Sequence, residues 1–259
     1  MTGIYGEREA ELLLRYLSLD LFDGRQSLTP DEQIRFEKAC LRLTNYEPLQ
    51  YITGKAYFRN LVLHVEPGVL IPRPETEELV DLVIQYAQNR EIRHILDIGT
   101  GSGCIALALK KELPNVQITA IDKSGAALAI AAKNGKDQGL NITWLEGDFL
   151  DEICRNSLPS FDLIVSNPPY IGTEEAATLD ANVIEFEPAM ALFAEGDPLL
   201  FYKAIAAFGA KIKCPVFCEL SEKRGAATVS CFENAGYRDV ALIKDLQGKD
   251  RFVVAKFNK

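Results

Sequence analysis

The chain has 259 residues, 47% apolar and 25% charged, with a formal net charge of −9. That suits one large α/β domain with a smaller companion and leaves no compositional hint of disorder. No apolar run approaches the ~20 residues of a membrane span, the acids near the N-terminus disfavour a secretory signal, and the acidic balance disfavours a DNA or RNA substrate, whose binders carry a basic face.

The six cysteines, Cys40, Cys104, Cys154, Cys214, Cys218 and Cys231, are scattered and form no C-x-x-C pair, and His64 and His94 form no metal constellation. Reduced thiols, no metal and a cytoplasmic location are therefore expected. Residues 1–50 read as a small helical domain. Leu12, Leu13, Tyr16 and Leu17 fall at helical spacing, Asp23-Gly24 makes a turn, and Thr29-Pro30 caps a second helix whose apolar residues are Ile34, Phe36, Ala39, Leu41 and Leu43. Residues 51–74 change character. Tyr57-Phe58 and Leu61 to Val65 flank Arg59-Asn60 as a hairpin, and Pro67-Gly68 and Pro72-Arg73-Pro74 impose an extended, stiff connection that places the domain boundary here.

Residues 75–259 alternate helix and strand. Helices are expected over Glu75 to Asn89, Gly103 to Leu113, Ala126 to Gln138, Leu199 to Lys211 and Lys223 to Ala235. Strands are expected over Ile92 to Ile98, Val116 to Ile121, Ile142 to Leu145, Phe161 to Val165, Val216 to Leu220, Tyr237 to Ile243 and Arg251 to Phe257. Repeated β-α units with apolar strands imply a mostly parallel, seven-stranded sheet covered on both faces. The turn Gln247-Gly248-Lys249-Asp250 makes the last two strands an antiparallel hairpin.

The chemistry gathers at two turns. Leu96-Asp97-Ile98-Gly99-Thr100-Gly101-Ser102-Gly103 lies between the first strand of this domain and its helix. Glycines there allow a sharp turn and close backbone approach to a ligand, and Asp122, ending the next strand, can accept two ribose hydroxyls. Alone, the loop is equally a strand-turn-helix with glycines for packing. Its G-x-G-x-G spacing is not the G-x-G-x-x-G of a nicotinamide dehydrogenase. Preceded by Asp97, it resembles motif I of class I S-adenosylmethionine methyltransferases, a Rossmann-like family. Asp148-Phe149 resembles that family's adenine-contacting position, where Phe149 either stacks on the purine or is a core aromatic.

Ser166-Asn167-Pro168-Pro169-Tyr170 ends the fourth strand, at the side of such sheets where ligands bind. The pattern is similar to the [DN]-P-P-[YFW] motif of methyltransferases acting on planar nitrogens. An amide nitrogen is a poor nucleophile because its lone pair is delocalised. The Asn167 side-chain oxygen and the Pro168 carbonyl can each accept one N–H, orienting the nitrogen and stabilising the charge that develops on it. Pro169 and Tyr170 complete the turn, and Tyr170 can pack on the amide and face a sulfonium.

Three further stretches narrow the resemblance: Glu47 to Gly54, Pro67 to Glu77 with its Pro72-Arg73-Pro74-Glu75-Thr76-Glu77, and Glu187-Pro188 followed by Ala191-Leu192 and Gly196. With the glycine loop, NPPY and the terminal KDLQGKDRFVV, they look like the peptide chain release factor glutamine methyltransferases from Pro48 to the C-terminus. That resemblance implies S-adenosylmethionine as cofactor. It implies as substrate the Gly-Gly-Gln glutamine of bacterial class I release factors, gripped with help from the N-terminal helices. It places Arg73 and Thr76 at the border of the cofactor pocket, with Gly99, Thr100, Gly101, Ser102 and Gly103 in its loop. A monomer acting on neither nucleic acid nor membrane is expected. The alternatives are an amino-methyltransferase for a nucleic-acid base, one for a ribosomal-protein glutamine, and a non-catalytic cofactor-fold module.

Overall fold

A computed structural model describes residues 4–25, 27–88, 90–172, 175, 181–194 and 196–257. Helix α1 (Glu7–Phe22) stops where Asp23 turns left-handed at φ 55°. Helix α2 (Pro30–Thr44) starts with a full capping box. Thr29 Oγ1 accepts from the Glu32 amide at 3.3 Å, and the Thr29 amide donates to the Glu32 carboxylate at 2.9 Å. Leu17, Ala39, Leu43 and Ile52 form the core between them. Leu12, Tyr16, Ile34 and Leu41, which share the apolar pattern, are exposed instead. Ile52 comes from α3 (Leu49–Thr53), too short to show a helical period, which runs across the boundary expected at residue 50.

Strands β1 (Lys55–Phe58) and β2 (Leu61–His64) form the expected hairpin about Arg59-Asn60. Polar contacts fasten it on two sides. Tyr57 Oη donates to the Asp20 carboxylate at 2.5 Å and Lys55 Nζ to the Asp20 carbonyl at 2.7 Å. On the other side, the buried Asn134 accepts the His64 amide at 2.7 Å and donates to the carbonyls of His64 and Ser102 at 3.0 and 2.9 Å. The Pro-rich connection then leads into α4 (Pro74–Ala87), with Glu75 and Glu77 in its first turn as its dipole favours. The expected extension of this helix to Asn89 lies outside the described residues.

There follow β3 (His94–Ile98), α5 (Cys104–Glu112), β4 (Gln117–Asp122), α6 (Gly125–Gln138), β5 (Thr143–Glu146), α7 (Glu152–Ser157) and β6 (Leu163–Ser166). Next come the short β7 (Ile171–Gly172), α8 (Ala181–Phe186), α9 (Ala189–Leu192) and β8 (Phe193–Ala194). The chain closes with α10 (Leu200–Ile212), β9 (Val216–Glu219), α11 (Gly225–Asn234), β10 (Asp239–Lys244) and β11 (Asp250–Lys256). The seven-stranded sheet has the order β10-β11-β9-β6-β3-β4-β5. Its strands are parallel except β11, which runs antiparallel to both β9 and β10. Period-two alternation divides each strand between two cores. Ile95, Leu163, Val165 and Phe217 meet α4 and α5, whereas Leu96, Ile98, Ile164 and Cys218 meet α10 and α11. Among the described residues, no helix is long and apolar enough to cross a membrane.

Gly209 of α10 shows how tightly the second core is closed. A Cβ there would collide with the Tyr237 hydroxyl and lie 2.9 Å from Val216 Cγ2, while that hydroxyl donates to the Cys214 carbonyl at 2.7 Å. Gly→Ala in a helix ordinarily stabilises by ~1 kcal/mol. Gly209→Ala should instead destabilise by about 1–3 kcal/mol through overpacking, read as a lower urea midpoint. A raised midpoint would contradict this packing.

Candidate active site

The order of the sheet reverses between β3 and β6, so a crevice opens at their carboxyl ends. The glycine loop leaves β3 there. Four of its five amides are spent within the fold: Gly99 and Thr100 donate to the Ile121 carbonyl at 2.9 and 3.2 Å, Gly103 to the Thr100 carbonyl at 2.9 Å, and Gly101 to Asp122 Oδ2 at 2.9 Å. A pyrophosphate site needs such amides free. This loop therefore offers space rather than anion-binding donors. Gly101, at φ 55°, has nothing within 4 Å of where a Cβ would be, and it lines the crevice. Gly103, at φ 82°, serves packing instead. A Cβ there would press on Trp144 at 3.0 Å and Ala131 at 3.2 Å, so its absence lets α5 pack closely.

The crevice holds a cavity of about 700 Å³ lined by Gly99, Gly101, Asp122, Asp148, Phe149 and Asn167, with apolar walls from Ile98, Ile121 and Leu150. Asp122 Oδ1 accepts the Ser124 amide at 2.9 Å and Oδ2 the Gly101 amide. A carboxylate has about four acceptor sites, so acceptor capacity remains for a ligand hydroxyl. Burial raises the Asp122 pKa. For Asp148, burial acts upward, but Lys123 at 2.9 Å, the Leu150 amide and Arg155 hold it below the usual carboxylate value. Phe149 reaches the cavity from the core, only 3% exposed and edge-on to Phe208 at 5.6 Å. Asp97, Thr100 and Ser102 are buried and line neither cavity. Thr100 Oγ1 donates to Asp97 Oδ2 at 2.6 Å. Asp97 Oδ1 and Ser102 Oγ are buried without a partner among the described residues. Burial foremost, with Asp122 adding, pushes Asp97 up to about 7.

A second cavity, of about 710 Å³, lies between the N-terminal helices and the NPPY turn. Tyr5, Leu13, Tyr16 and Leu43 face Arg73, Tyr170 and Asn167 across it. Asn167, Leu70 and Ala191 line both cavities. Pro169 lines the first, and Pro168 is buried in the turn between.

Arg73 and Thr76 do not border the first cavity as the sequence resemblance implied. Arg73 lines the second, where Nη2 pairs at 2.6 Å with the buried carboxylate of Glu187. Thr76 is buried behind the NPPY turn. Its Oγ1 accepts from Asn167 Nδ2 at 3.1 Å and donates to Glu219 Oε2 at 2.7 Å. Glu219, 1% exposed, also receives the Tyr170 hydroxyl at 3.4 Å. Burial pushes Glu219 up to about 7, while Thr76 and Arg251 pull downward. Glu219 and Asn134 escaped the sequence reading, and Glu187 was seen only as part of the Glu187-Pro188 stretch, not as the partner of Arg73. The available signal for Glu219 was a lone acid in the apolar run Val216 to Leu220.

The Methyltransferase small domain family matches residues 70–200, and the PrmC N-terminal domain family matches residues 6–54. A release factor glutamine methyltransferase of Bacteroides thetaiotaomicron is 42% identical over 92% of this chain and 86% of its own length. Another, from Flavobacterium psychrophilum, is 38% identical over 99% and 95%, and one from Bacillus subtilis 36% over 98% and 92%. The chain belongs to the release factor glutamine methyltransferase family. The family expected from PRPETE and NPPY is thus the family found. Solved structures share the fold. The hMettl16 catalytic domain, determined in complex with MAT2A 3'UTR hairpin 6, has a TM-score of 0.62 at 20% identity, covering 94% of this chain and 92% of its own. A methyltransferase from Pyrococcus furiosus has 0.55 at 17%, covering 89% and 100%.

The buried Asp97 yields a pH prediction. Its folded pKa of about 7 lies above the ordinary 3.8, so the folded state holds the proton more tightly and loses stability as pH rises from 4 to 7. In Asp97→Asn, whose carbonyl can still accept from Thr100, that loss disappears. The unfolding free energy of the variant relative to the parent should rise by up to about 4 kcal/mol between pH 4 and pH 8, read by urea titration. A pH-independent difference would contradict the burial of a titrating Asp97.

Proposed function

We propose that the protein transfers a methyl group from S-adenosylmethionine to the side-chain amide nitrogen of the Gly-Gly-Gln glutamine in class I peptide chain release factors. One observation carries the reading: Asn167 lines both cavities, and its Nδ2 donates to Thr76 while, among the described residues, its Oδ1 accepts no hydrogen bond. The methyl donor suits the first cavity and a glutamine side chain the second.

The residues of the first cavity fit that cofactor. Asp122 retains acceptor capacity for a ribose hydroxyl, and Ile121, Phe149 and Leu150 give an apolar slot for a purine. The loop's mostly spent amides suit a nucleoside that carries no phosphate. When bound, S-adenosylmethionine supplies an electrophilic methyl on a sulfonium. The chain does the rest. Asn167 Oδ1 and the Pro168 carbonyl accept the two N–H bonds of the glutamine amide and hold its nitrogen at a near-attack distance of ~3–3.5 Å. They also stabilise the positive charge that grows on nitrogen, after which the acidified proton departs to water. Tyr170, on the wall of the second cavity, packs on the planar amide.

The walls of the second cavity include Glu9, Glu47 and Glu187 against one basic side chain, Arg73, which is paired with Glu187, while Glu47 is paired with Arg42. That polarity favours a protein loop over a nucleic-acid phosphate backbone. Tandem mass spectrometry of a release factor incubated with enzyme and cofactor should place one methyl group on the Gly-Gly-Gln glutamine. A methyl group elsewhere would refute the assignment.

Two variants separate the roles. Asn167→Ala should abolish turnover while calorimetric affinity for the cofactor stays nearly unchanged, and a large loss of affinity would contradict this division. Asp122→Ala should weaken cofactor binding by about 1–3 kcal/mol if it holds the ribose through charge-assisted bonds. Unchanged binding would count against the ribose contact.

A further inference from the structure

We propose that Glu219 and Thr76 are positioning residues that lock the Asn167 side-chain amide in the one orientation presenting Oδ1, and not Nδ2, to the substrate. The inference rests on the proposed role of Asn167 toward the glutamine amide. An asparagine side chain is nearly symmetric in shape, so packing alone discriminates poorly between its two flipped states. The chemistry discriminates sharply. With Oδ1 forward it accepts a substrate N–H; with Nδ2 forward it sets donor against donor, and the nucleophile is pushed out of line.

The structure fixes the choice by a directional chain of hydrogen bonds. An ionised carboxylate accepts and cannot donate. Thr76 has a single hydroxyl proton and gives it to Glu219 Oε2 at 2.7 Å. What remains on Thr76 Oγ1 toward Asn167 is lone pairs, so Asn167 must turn its NH2 to Thr76, as it does at 3.1 Å. The polarity of the whole chain is set at its buried end.

Glu219 is itself held. Its backbone carbonyl takes the Tyr202 hydroxyl at 2.9 Å, and its Oε1 faces the Tyr170 hydroxyl. Arg251 favours its charge from β11 while Glu75 opposes it from α4. Thr76 sits in the first turn of α4, immediately after the Pro-rich connection that leaves the hairpin. The extended Pro72-Arg73, with Pro74 opening the helix, therefore delivers the lock to the NPPY turn. Carboxylates are costly to bury without polar partners. Glu219 lies on neither cavity wall, and its partners lead to Asn167 and Tyr170, which both line the second cavity.

The test uses the full-length enzyme at about pH 8.5, where Glu219 is ionised. Thr76→Val keeps the shape and removes both hydrogen bonds; Thr76→Ser keeps the hydroxyl. We expect Thr76→Val to lower kcat about tenfold or more, the loss of one orienting hydrogen bond in the transition state. Its KM for the release factor and Kd for S-adenosylhomocysteine should stay within about twofold, and Thr76→Ser should recover most of the rate. In spectra of 15N-labelled protein without cofactor, the Asn167 side-chain NH2 pair, assigned by its loss in Asn167→Asp, should be sharp and slowly exchanging in the parent and Thr76→Ser. It should be averaged or broadened in Thr76→Val. Parent-like kcat and Asn167 signals in Thr76→Val would overturn the proposal, as would equal losses in Val and Ser variants that both unfold cooperatively. If the parent enzyme does not methylate the release factor, the proposed function fails, and the Asn167 signals alone still decide whether the lock exists.

Discussion

Everything at this site depends on where two parallel strands end. Ile98 of β3 and Ser166 of β6 are register partners, and Ser166 Oγ donates to the Ile98 carbonyl at 2.7 Å. The next residues, Gly99 and Asn167, therefore emerge side by side, and a Cβ on Gly99 would lie 4.0 Å from the Asn167 carbonyl. One strand end leads into the glycine loop on the wall of the first cavity, and the other into the NPPY turn, whose Asn167 lines both cavities. Placing both at one level brings two short motifs to one crevice. A parallel pair at a switch point does this without help from flexible loops.

The second constraint is that a small helical region has to stay fixed against this centre. Its core contains only a few buried side chains, and an element of that size holds its place by docking. The hairpin of β1 and β2 makes the link. Asp20 at the end of α1 grips it through Tyr57 and Lys55, and Asn134 of α6 grips it through both backbone groups of His64. Asn134 also holds the Ser102 carbonyl, so the hairpin and the glycine loop share one buried amide. Tyr51 adds a bond of 2.6 Å to the Val69 carbonyl. The wall formed by the helices thus keeps a set position relative to Asn167, which a substrate cleft requires.

Much of this was legible in the sequence because the carriers are local. The β-α alternation, the Thr29-Pro30 cap, the Arg59-Asn60 hairpin, the terminal antiparallel pair and both chemical turns follow from spacing and turn chemistry over a few residues. The elements that escaped, α3, α7, α8, α9, β7 and β8, are too short to express a period. The exposure of Ile34 and Leu41 escaped because α2 offers two apolar stripes and only tertiary packing selects one. Thr76 was seen, but its buried contacts were not. Its partners Asn167 and Glu219 are 91 and 143 residues away in the chain, and no local pattern encodes such a contact. Phe149 shows the opposite case: an aromatic expected either at the ligand or in the core serves the core and also reaches the cavity wall.

A methyl-transfer assay with tritiated S-adenosylmethionine probes the reaction centre and its substrate together. The purified enzyme is offered a class I release factor, the same factor with its Gly-Gly-Gln glutamine changed to alanine, ribosomal proteins and unmethylated DNA. Label should appear on the unaltered release factor alone. Label on DNA or on a ribosomal protein, with none on the release factor, would contradict a centre built for the Gly-Gly-Gln glutamine.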